Sequence, residues 1–181
     1  LAEFQLLKDD VKNYAAIYGL TADLTEGHEN QMWRQACQEQ VSWNVPLKEI
    51  LRQTSIRPVS GEKVLVVENS GVYSILVELL PEVPIVCSSG QFTFAIWQLL
   101  RKLTAAGTQL YYSGDLDPEG LGMAQKLKTT FGHQLAFIGI NRSLFLLGKT
   151  EQPLSEVRLK KLRLLNDPRL VQLGETIRET K

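Results

Sequence analysis

Three acidic residues stand directly after apolar runs in the middle of the sequence. Glu68 follows the run at residues 64–67, and Asp115 and Asp117 follow the run at residues 110–113. An uninterrupted apolar run with β-branched and aromatic residues, followed by a polar turn, is typical of a buried strand in a parallel sheet. Ligands bind such sheets at the carboxyl ends of the strands. We therefore expect the three carboxylates to belong to one site.

The spacing of these acids favours a metal ion. If the chain is extended, Asp115 and Asp117 face the same side, roughly 6 to 7 Å apart. Three carboxylates at one place repel one another unless a cation lies between them. Mg²⁺ is commonly held by one or two carboxylates, with water or a substrate phosphate in its other positions. The pattern predicts Mg²⁺, or Mn²⁺ in its place, and metal-assisted chemistry on a phosphate.

Each of these acids also has a plainer interpretation. Asp117-Pro118-Glu119 is a good helix start, with Asp at the N-cap, Pro at the first helical position and Glu in the first turn. For Glu68 and Asp115 the alternative is an acid in a solvated loop. A helix cap alone would not require Asp115.

An α/β fold must position these residues. Residues 64–67, 85–87, 110–113 and 134–140 predict four strands, and the segments between them carry helical patterns. In a flavodoxin-like order the second strand lies outside the first, the first and third are neighbours, and ligands bind where the winding reverses. The expected fold class is therefore α/β, with a Rossmann-like parallel four-stranded sheet and flanking helices.

The two ends of the chain are expected to be helical. Apolar spacing predicts helices over residues 3–18, with Gly19 as the C-cap, and over about residues 29–41. Residues 52–63 are a turn-rich connector, and two more helical patterns cover residues 155–165 and 167–179. The expected domains are a helical lobe (1–57), an α/β domain (58–150) and a C-terminal helical extension packed on it (151–181).

The acidic motifs resemble a known family. Glu68 with Gly114-Asp115-Leu116-Asp117 looks like the Toprim domain shared by topoisomerases, primases and several nucleases. Asp117-Pro118-Glu119-Gly120 is similar to the Asp-Pro-Tyr-Gly of the A subunit of type VI topoisomerases, with Glu119 in place of Tyr. A closer resemblance is to an uncharacterised bacterial family with a C-terminal Toprim domain, related to the nuclease subunit of the Wadjet plasmid-defence system. Three motifs in order carry it: Val67-Glu68-Asn69, Val86-Cys87-Ser88-Ser89-Gly90-Gln91 and Gly114-Asp115-Leu116-Asp117-Pro118-Glu119-Gly120.

This resemblance implies a Toprim fold and Mg²⁺-dependent cleavage of phosphodiester bonds in nucleic acid, with DNA as the expected substrate, within a larger defence or DNA-processing protein. Asp115 and Asp117 would bind the metal. Glu68 would bind a second ion or act as general acid and base. One alternative is a non-catalytic module that holds DNA or a protein partner. Another is type VI topoisomerase-like strand breakage, for which Tyr73, Tyr111 and Tyr112 are the nearby tyrosines, although their positions favour packing.

Further residues are candidates for substrate contacts. Asn69, at the start of a helix, and Ser89, Gly90 and Gln91, after the second strand, stand where helix N-termini favour phosphate. For Ser89 the first interpretation is a helix N-cap. Lys160 and Lys161 belong to a basic run with Arg158 and Arg163. A solvated helix face is its default interpretation, and contact with DNA phosphates is the alternative.

Composition limits the function further. A chain of 181 residues that is 44% hydrophobic can fill one core with room for an extra lobe. Its formal net charge of zero argues against a free-standing non-specific DNA binder, so we expect other domains or subunits to supply much of the DNA affinity. Cys37 and Cys87 have no metal-ligand spacing and indicate reduced residues in a cytoplasmic protein. The chain begins at Leu1, which suggests a piece of a longer protein, and no signal peptide or membrane-crossing run is evident.

Overall fold

The computed structural model describes residues 13–90, 92–148 and 154–180. Two compact units make up the chain, Leu1–Leu110 and Tyr111–Lys181. The division expected from the sequence, at residues 57 and 150, stays a prediction.

Strands and short helices alternate in the first unit. In chain order its elements are β1 (Tyr14–Tyr18), β2 (Leu20–Thr25), β3 (His28–Glu29), α1 (Gln31–Gln38), β4 (Trp43–Pro46), α2 (Leu47–Arg52), β5 (Ser55–Pro58), β6 (Lys63–Val67), α3 (Ser70–Leu79), β7 (Ile85–Cys87) and α4 (Phe94–Ala105). The next strand, β8 (Gln109–Ser113), begins in this unit.

The larger sheet confirms the predicted fold class. Its strand order is β4-β1-β7-β6-β8-β9, where β9 is Leu135–Phe137. The predicted second strand, β7, pairs in parallel with β6, and Leu65 lies opposite Ile85. Gln109, at the start of β8, donates a 2.8 Å hydrogen bond to the carbonyl oxygen of Glu62 just before β6. The four strands predicted from their apolar runs are therefore present, in a Rossmann-like order.

The N-terminal segment differs from the predicted helical lobe. Residues 14–18 form β1 instead of the end of a helix, and residues 3–12 of that predicted helix lie outside the described residues. β1 pairs antiparallel with β4 on one side and β7 on the other, and residues 15–18 are all buried. A strand buried on both faces has no alternation of apolar and polar residues, so its sequence also fits a helix.

A small second sheet contains the other strands of the segment that was predicted to be a helical lobe. It has the order β3-β2-β5, and β2 pairs antiparallel with both neighbours. Residues 55–58, predicted to be part of a connector, form β5 in this sheet. The helix predicted over about residues 29–41 is confirmed as the shorter α1.

Helices dominate the second unit. It contains α5 (Pro118–Phe131), β9, α6 (Arg142–Leu147), α7 (Glu156–Lys161) and α8 (Pro168–Glu179), and a 3₁₀ turn at Leu162–Leu164 extends α7. α5 buries Leu121, Ala124 and Leu127 and packs against β9, α7 and α8. The predicted helix at residues 155–165 is therefore α7 and its 3₁₀ turn, and the next predicted helix is α8, which Asp167 caps.

The buried side-chain amide of Gln125 holds the segment that leads into α8. Gln125 of α5 accepts hydrogen bonds at its Oε1 from the backbone nitrogens of Asn166, at 2.7 Å, and Asp167, at 2.9 Å. Its Nε2 donates to Asn166 Oδ1 at 2.6 Å. Because buried polar groups need partners, these bonds hold the segment between α7 and α8 against α5.

Within the described ranges, no helix has both the length and the apolar character that crossing a bilayer requires.

Candidate functional site

The acidic loop between β8 and α5 has a defined geometry. Asp117 is the N-cap of α5, and its Oδ1 accepts a 2.8 Å hydrogen bond from the backbone nitrogen of Gly120. Pro118 occupies the first turn, where its missing N–H costs nothing. The capping role predicted for Asp117 is confirmed, and it leaves the second carboxylate oxygen, Oδ2, for another partner.

Gly120 lets the backbone of Asp115 approach α5. A Cβ at residue 120 would lie 2.2 Å from the carbonyl oxygen of Asp115 and 2.9 Å from its carbonyl carbon. No side chain larger than hydrogen fits there unless the backbone moves. Gly120 thus holds the Asp115 backbone against the first turn of α5, while Asp115 itself is exposed. In the sequence Gly120 stood out only as part of the motif.

Two cations from α7 bind the acids at the start of α5. Arg158 donates from Nη2 to Asp117 Oδ2 at 2.7 Å and to Glu119 Oε2 at 2.6 Å, and its Nε also donates to Glu119 Oε2, at 2.9 Å. Lys161 donates to Glu119 Oε1 at 2.9 Å. We call these four residues, Asp117, Glu119, Arg158 and Lys161, the ion-pair cluster. Its two positive charges balance its two carboxylates.

Both partners of the central pair stay charged. The hydrogen bond from Arg158 lowers the pKa of Glu119 to about 2, with a smaller contribution from Lys161. The hydrogen bond with Glu119 in turn raises the pKa of the Arg158 guanidinium. The side chains are 38% exposed for Arg158 and 42% for Glu119. Water therefore screens the pair, and its stabilisation is of the order of 1 kcal/mol or less.

The chemistry of the loop fits a hard cation. Asp115 and Asp117 provide carboxylate oxygens, the ligands that Mg²⁺ prefers, and Arg158 binds Asp117 Oδ2 in this structure. Mg²⁺ is usually bound through one or two carboxylates, together with water and substrate phosphate, and this loop supplies that number. In the part of the chain that the structure describes, no group of three or more His, Cys, Asp or Glu side chains is arranged to hold a metal ion.

Glu68 lies in the first unit, directly after β6, and is half-buried. Its carbonyl oxygen accepts a 2.9 Å hydrogen bond from the backbone nitrogen of Gly90, which ties the end of β6 to the turn after β7. The expectation that the Glu68 carboxylate shares a site with Asp115 and Asp117 stays a prediction.

The structure gives Asn69 a capping role. Its Oδ1 accepts hydrogen bonds from the backbone nitrogens of Gly71, at 2.8 Å, and Val72, at 3.2 Å, at the start of α3. The substrate contact considered for Asn69 stays a prediction.

The capping role predicted for Ser89 is wrong. The N-cap of α4 is Thr93, whose Oγ1 accepts from the backbone nitrogen of Ile96 at 3.4 Å. Ser89 has φ +52° and Gly90 φ +99°, so two successive left-handed residues make a turn that cannot lead straight into a helix. Gln91 lies outside the described residues, and substrate contacts by Ser89, Gly90 and Gln91 stay predictions.

Lys160 and Lys161 face different surroundings. Lys161 belongs to the ion-pair cluster, whereas Lys160 lines a groove of about 440 Å³ with Arg163. Arg178 of α8, which sequence reasoning did not single out, lines the same groove, as do Glu156 and Leu159. Its position could not be inferred from the sequence because it depends on how α8 packs.

The fold and the acidic loop define a class, an α/β protein with a Rossmann-like sheet and carboxylates after a sheet strand. Residues 43–163 match the family described as "Protein of unknown function C-terminus (DUF2399)", and the chain belongs to this family. The matched residues include Glu68, Asp115, Asp117 and the whole ion-pair cluster, and they end before α8. A comparison with curated proteins gives no match.

Proposed function

We propose that this chain is a Toprim-type domain that cleaves phosphodiester bonds of nucleic acid, DNA first of all, with Mg²⁺ or Mn²⁺. We place it in the cytoplasm, in a larger defence or DNA-processing protein whose other domains or subunits help to bind the substrate. The observation that carries the proposal is the acidic loop, in which Asp115 and Asp117 follow β8 and Gly120 holds the Asp115 backbone against the first turn of α5.

Each acid has a role in this proposal. Asp115 and Asp117 hold the metal ion, which when bound polarises a phosphoryl oxygen and lowers the pKa of an attacking water. The backbone nitrogen of Gly120 holds Asp117 Oδ1, so Oδ2 is the oxygen of this carboxylate that would be available to the metal ion. Arg158 balances the charge of Oδ2 and would have to release this oxygen to a metal ion. Glu68 acts as general acid and base or binds a second ion, a role that rests on the sequence resemblance.

A specific observation also favours the second candidate, a non-catalytic module that binds DNA or a protein partner. Both oxygens of Asp117 have partners, Gly120 and Arg158, and both oxygens of Glu119 bind cations of α7. A loop whose charge is balanced by the chain itself can be stable without a metal ion, as a purely structural helix start would be.

Topoisomerase-like strand breakage finds no support in Tyr73 or Tyr112. Tyr73 is 7% exposed and forms a 2.7 Å hydrogen bond with Ser42, and burial raises its pKa to about 12. A phenol with that pKa is a poor nucleophile at neutral pH. Tyr112 is fully buried in β8.

A calorimetric titration with Mg²⁺ and Mn²⁺ tests the proposal. Asp115→Asn and Asp117→Asn keep the size of each side chain and remove its charge, so both should lose the binding seen in the parent chain. Glu175→Gln, an exposed acid of α8, is the matched control and should bind as the parent does. A parent that binds neither ion, or an Asp115→Asn chain that binds them equally well, would contradict the metal site.

Cleavage separates the two candidates. A labelled DNA duplex should be cut in the presence of Mg²⁺ by the parent and left intact by Asp115→Asn and by Glu68→Gln. If the parent and Asp115→Asn bind the duplex equally well without divalent ions and neither cuts it, the non-catalytic module is the correct function.

A further inference from the structure

The basic run at the start of the C-terminal region divides into two sets. Arg158 and Lys161 lie three residues apart on one side of α7 and bind the acids of the ion-pair cluster. Lys160 and Arg163 are also three residues apart and line the groove described above. Because residues three apart on a helix share a face, α7 and the 3₁₀ turn that extends it present one neutralised basic face and one that is not neutralised.

The described residues that line the groove carry a net positive charge. Lys160, Arg163 and Arg178 are exposed cations, and Glu156 is the one carboxylate among the described lining residues. Within the described residues none of these three cations forms a salt bridge. Three cations from two different helices around about 440 Å³ of open volume make a site for a polyanion.

We propose that this groove between α7 and α8 binds consecutive phosphates of a nucleic-acid backbone through Lys160, Arg163 and Arg178. Guanidinium groups match the geometry of phosphate oxygens, and the ammonium of Lys160 adds a point charge. The inference rests on the proposed function and deepens it, because it assigns the substrate contact to these three cations and excludes Lys161, which Glu119 already holds.

A pair of triple variants tests the groove. The test variant is Lys160→Gln, Arg163→Gln and Arg178→Gln. The control is Lys126→Gln, Arg142→Gln and Arg169→Gln, three exposed cations of the same unit outside the residues that line the groove. Arg169 and Arg178 are nine residues apart, which places them on opposite sides of α8, since each residue turns a helix by about 100°. Both variants change the net charge equally, and thermal unfolding checks that both fold.

Binding to a fluorescein-labelled DNA duplex is measured by anisotropy in EDTA. For three phosphate contacts, the dissociation constant of the parent should rise about 40-fold between about 50 and about 200 mM salt. The groove variant should bind the duplex at least about tenfold more weakly at low salt. The slope of the logarithm of its dissociation constant against the logarithm of the salt concentration should be smaller than that of the parent by about three. The dissociation constant of the control variant should stay within about twofold of that of the parent.

Three results would overturn the proposal: no duplex binding by the parent, equal losses in both variants, or a parent that binds inorganic pyrophosphate in preference to the duplex, which would make the groove a site for free phosphate. The assay contains no divalent ion and so does not depend on cleavage. If the parent binds DNA through the groove but does not cut it with Mg²⁺, the proposed catalysis is contradicted and the groove proposal is not. If the groove variant still cuts DNA, the groove proposal is contradicted and the proposed catalysis is not.

Discussion

Asp117 Oδ2 accepts a 2.7 Å hydrogen bond from Arg158 Nη2, although 41 positions of sequence separate the two residues. The same carboxylate caps α5 through its other oxygen. Arg158 therefore places its charge at the oxygen to which we assign a metal ion. If the assignment is correct, the guanidinium and the metal compete for one atom.

The first prediction follows from this competition. Arg158→Gln should raise the Mg²⁺ affinity about fivefold, because a half-exposed ion pair worth about 1 kcal/mol no longer has to be broken. Lys161→Gln removes the same charge but a contact with Glu119 only, so its effect should be smaller. Calorimetry measures both. Equal affinities in the parent and the Arg158 variant would mean that metal and guanidinium do not share Asp117.

Replacing two glycines of α5 by alanine should change the free energy of unfolding in opposite directions. Gly120→Ala forces a Cβ against the carbonyl oxygen of Asp115 and should lower the free energy of unfolding by about 1–3 kcal/mol. A Cβ at Gly122 meets nothing within 4 Å, so Gly122→Ala should raise it by up to about 1 kcal/mol through better helix propensity. Urea unfolding of the two variants gives both values. An unchanged free energy of unfolding in Gly120→Ala would contradict the close approach of the Asp115 carbonyl oxygen to residue 120.

Asp117 has a structural role that can be separated from its charge. Asp117→Ala removes the cap and the ion pair and should cost about 1–2 kcal/mol of stability. Asp117→Asn retains an oxygen that can accept from Gly120 and should cost about 1 kcal/mol or less. Metal affinity, in contrast, should fall in both variants. Equal destabilisation in urea by Ala and Asn would show that the cap contributes little.

Tyr73 should make the free energy of unfolding depend on pH in the alkaline range. Burial raises the pKa of its phenol from 10.0 to about 12, and the hydrogen bond with Ser42 opposes this rise. Between these two pH values the unfolded chain ionises Tyr73 and the folded chain does not. The free energy of unfolding should fall as pH rises through this window, by at most about 1.4 kcal/mol per pH unit. Absorbance titration of the parent and of Tyr73→Phe should differ by one phenol that titrates above the usual pKa of 10.0. Identical titration curves would contradict the assignment.

The middle of the chain was predictable because its strands and helices have clear signals. The apolar runs that form β6, β7 and β8 end at polar turns, and α5 begins with Asp117 and Pro118 as a helix cap and first turn should. There local preference and burial favour the same structure, so sequence alone gave the strand order and the cap.

The N-terminal strands were not predictable in this way. Residues 15–18 are apolar because β1 lies between two other strands, and the same residues fit a helical spacing. Gly19, expected to cap a helix, has φ +68° and instead lets the chain pass from β1 to β2. Choosing between these structures requires the partner strands, which the sequence does not identify.

The acidic loop was recognisable in the sequence, whereas the cations that contact it were not. Asp115 and Asp117 are recognisable because they follow a strand at a fixed spacing. The partners of Asp117 and Glu119 come from α7, about 40 residues further along the chain, and the groove includes Arg178 of α8. Such contacts depend on helix packing, for which a run of basic residues carries no signal beyond its charge.

The position of β1 matters to anyone who divides this protein into fragments. The sequence suggests a cut near residue 58, just before the strands of the recognisable α/β region. That cut would remove β1 and β4 and leave the outer side of β7 without the strand that pairs with it. An uncovered edge of apolar residues such as Ile85 and Val86 is a template for pairing between molecules, so the shortened protein should aggregate, whereas a fragment that starts before Asn13 keeps this edge covered.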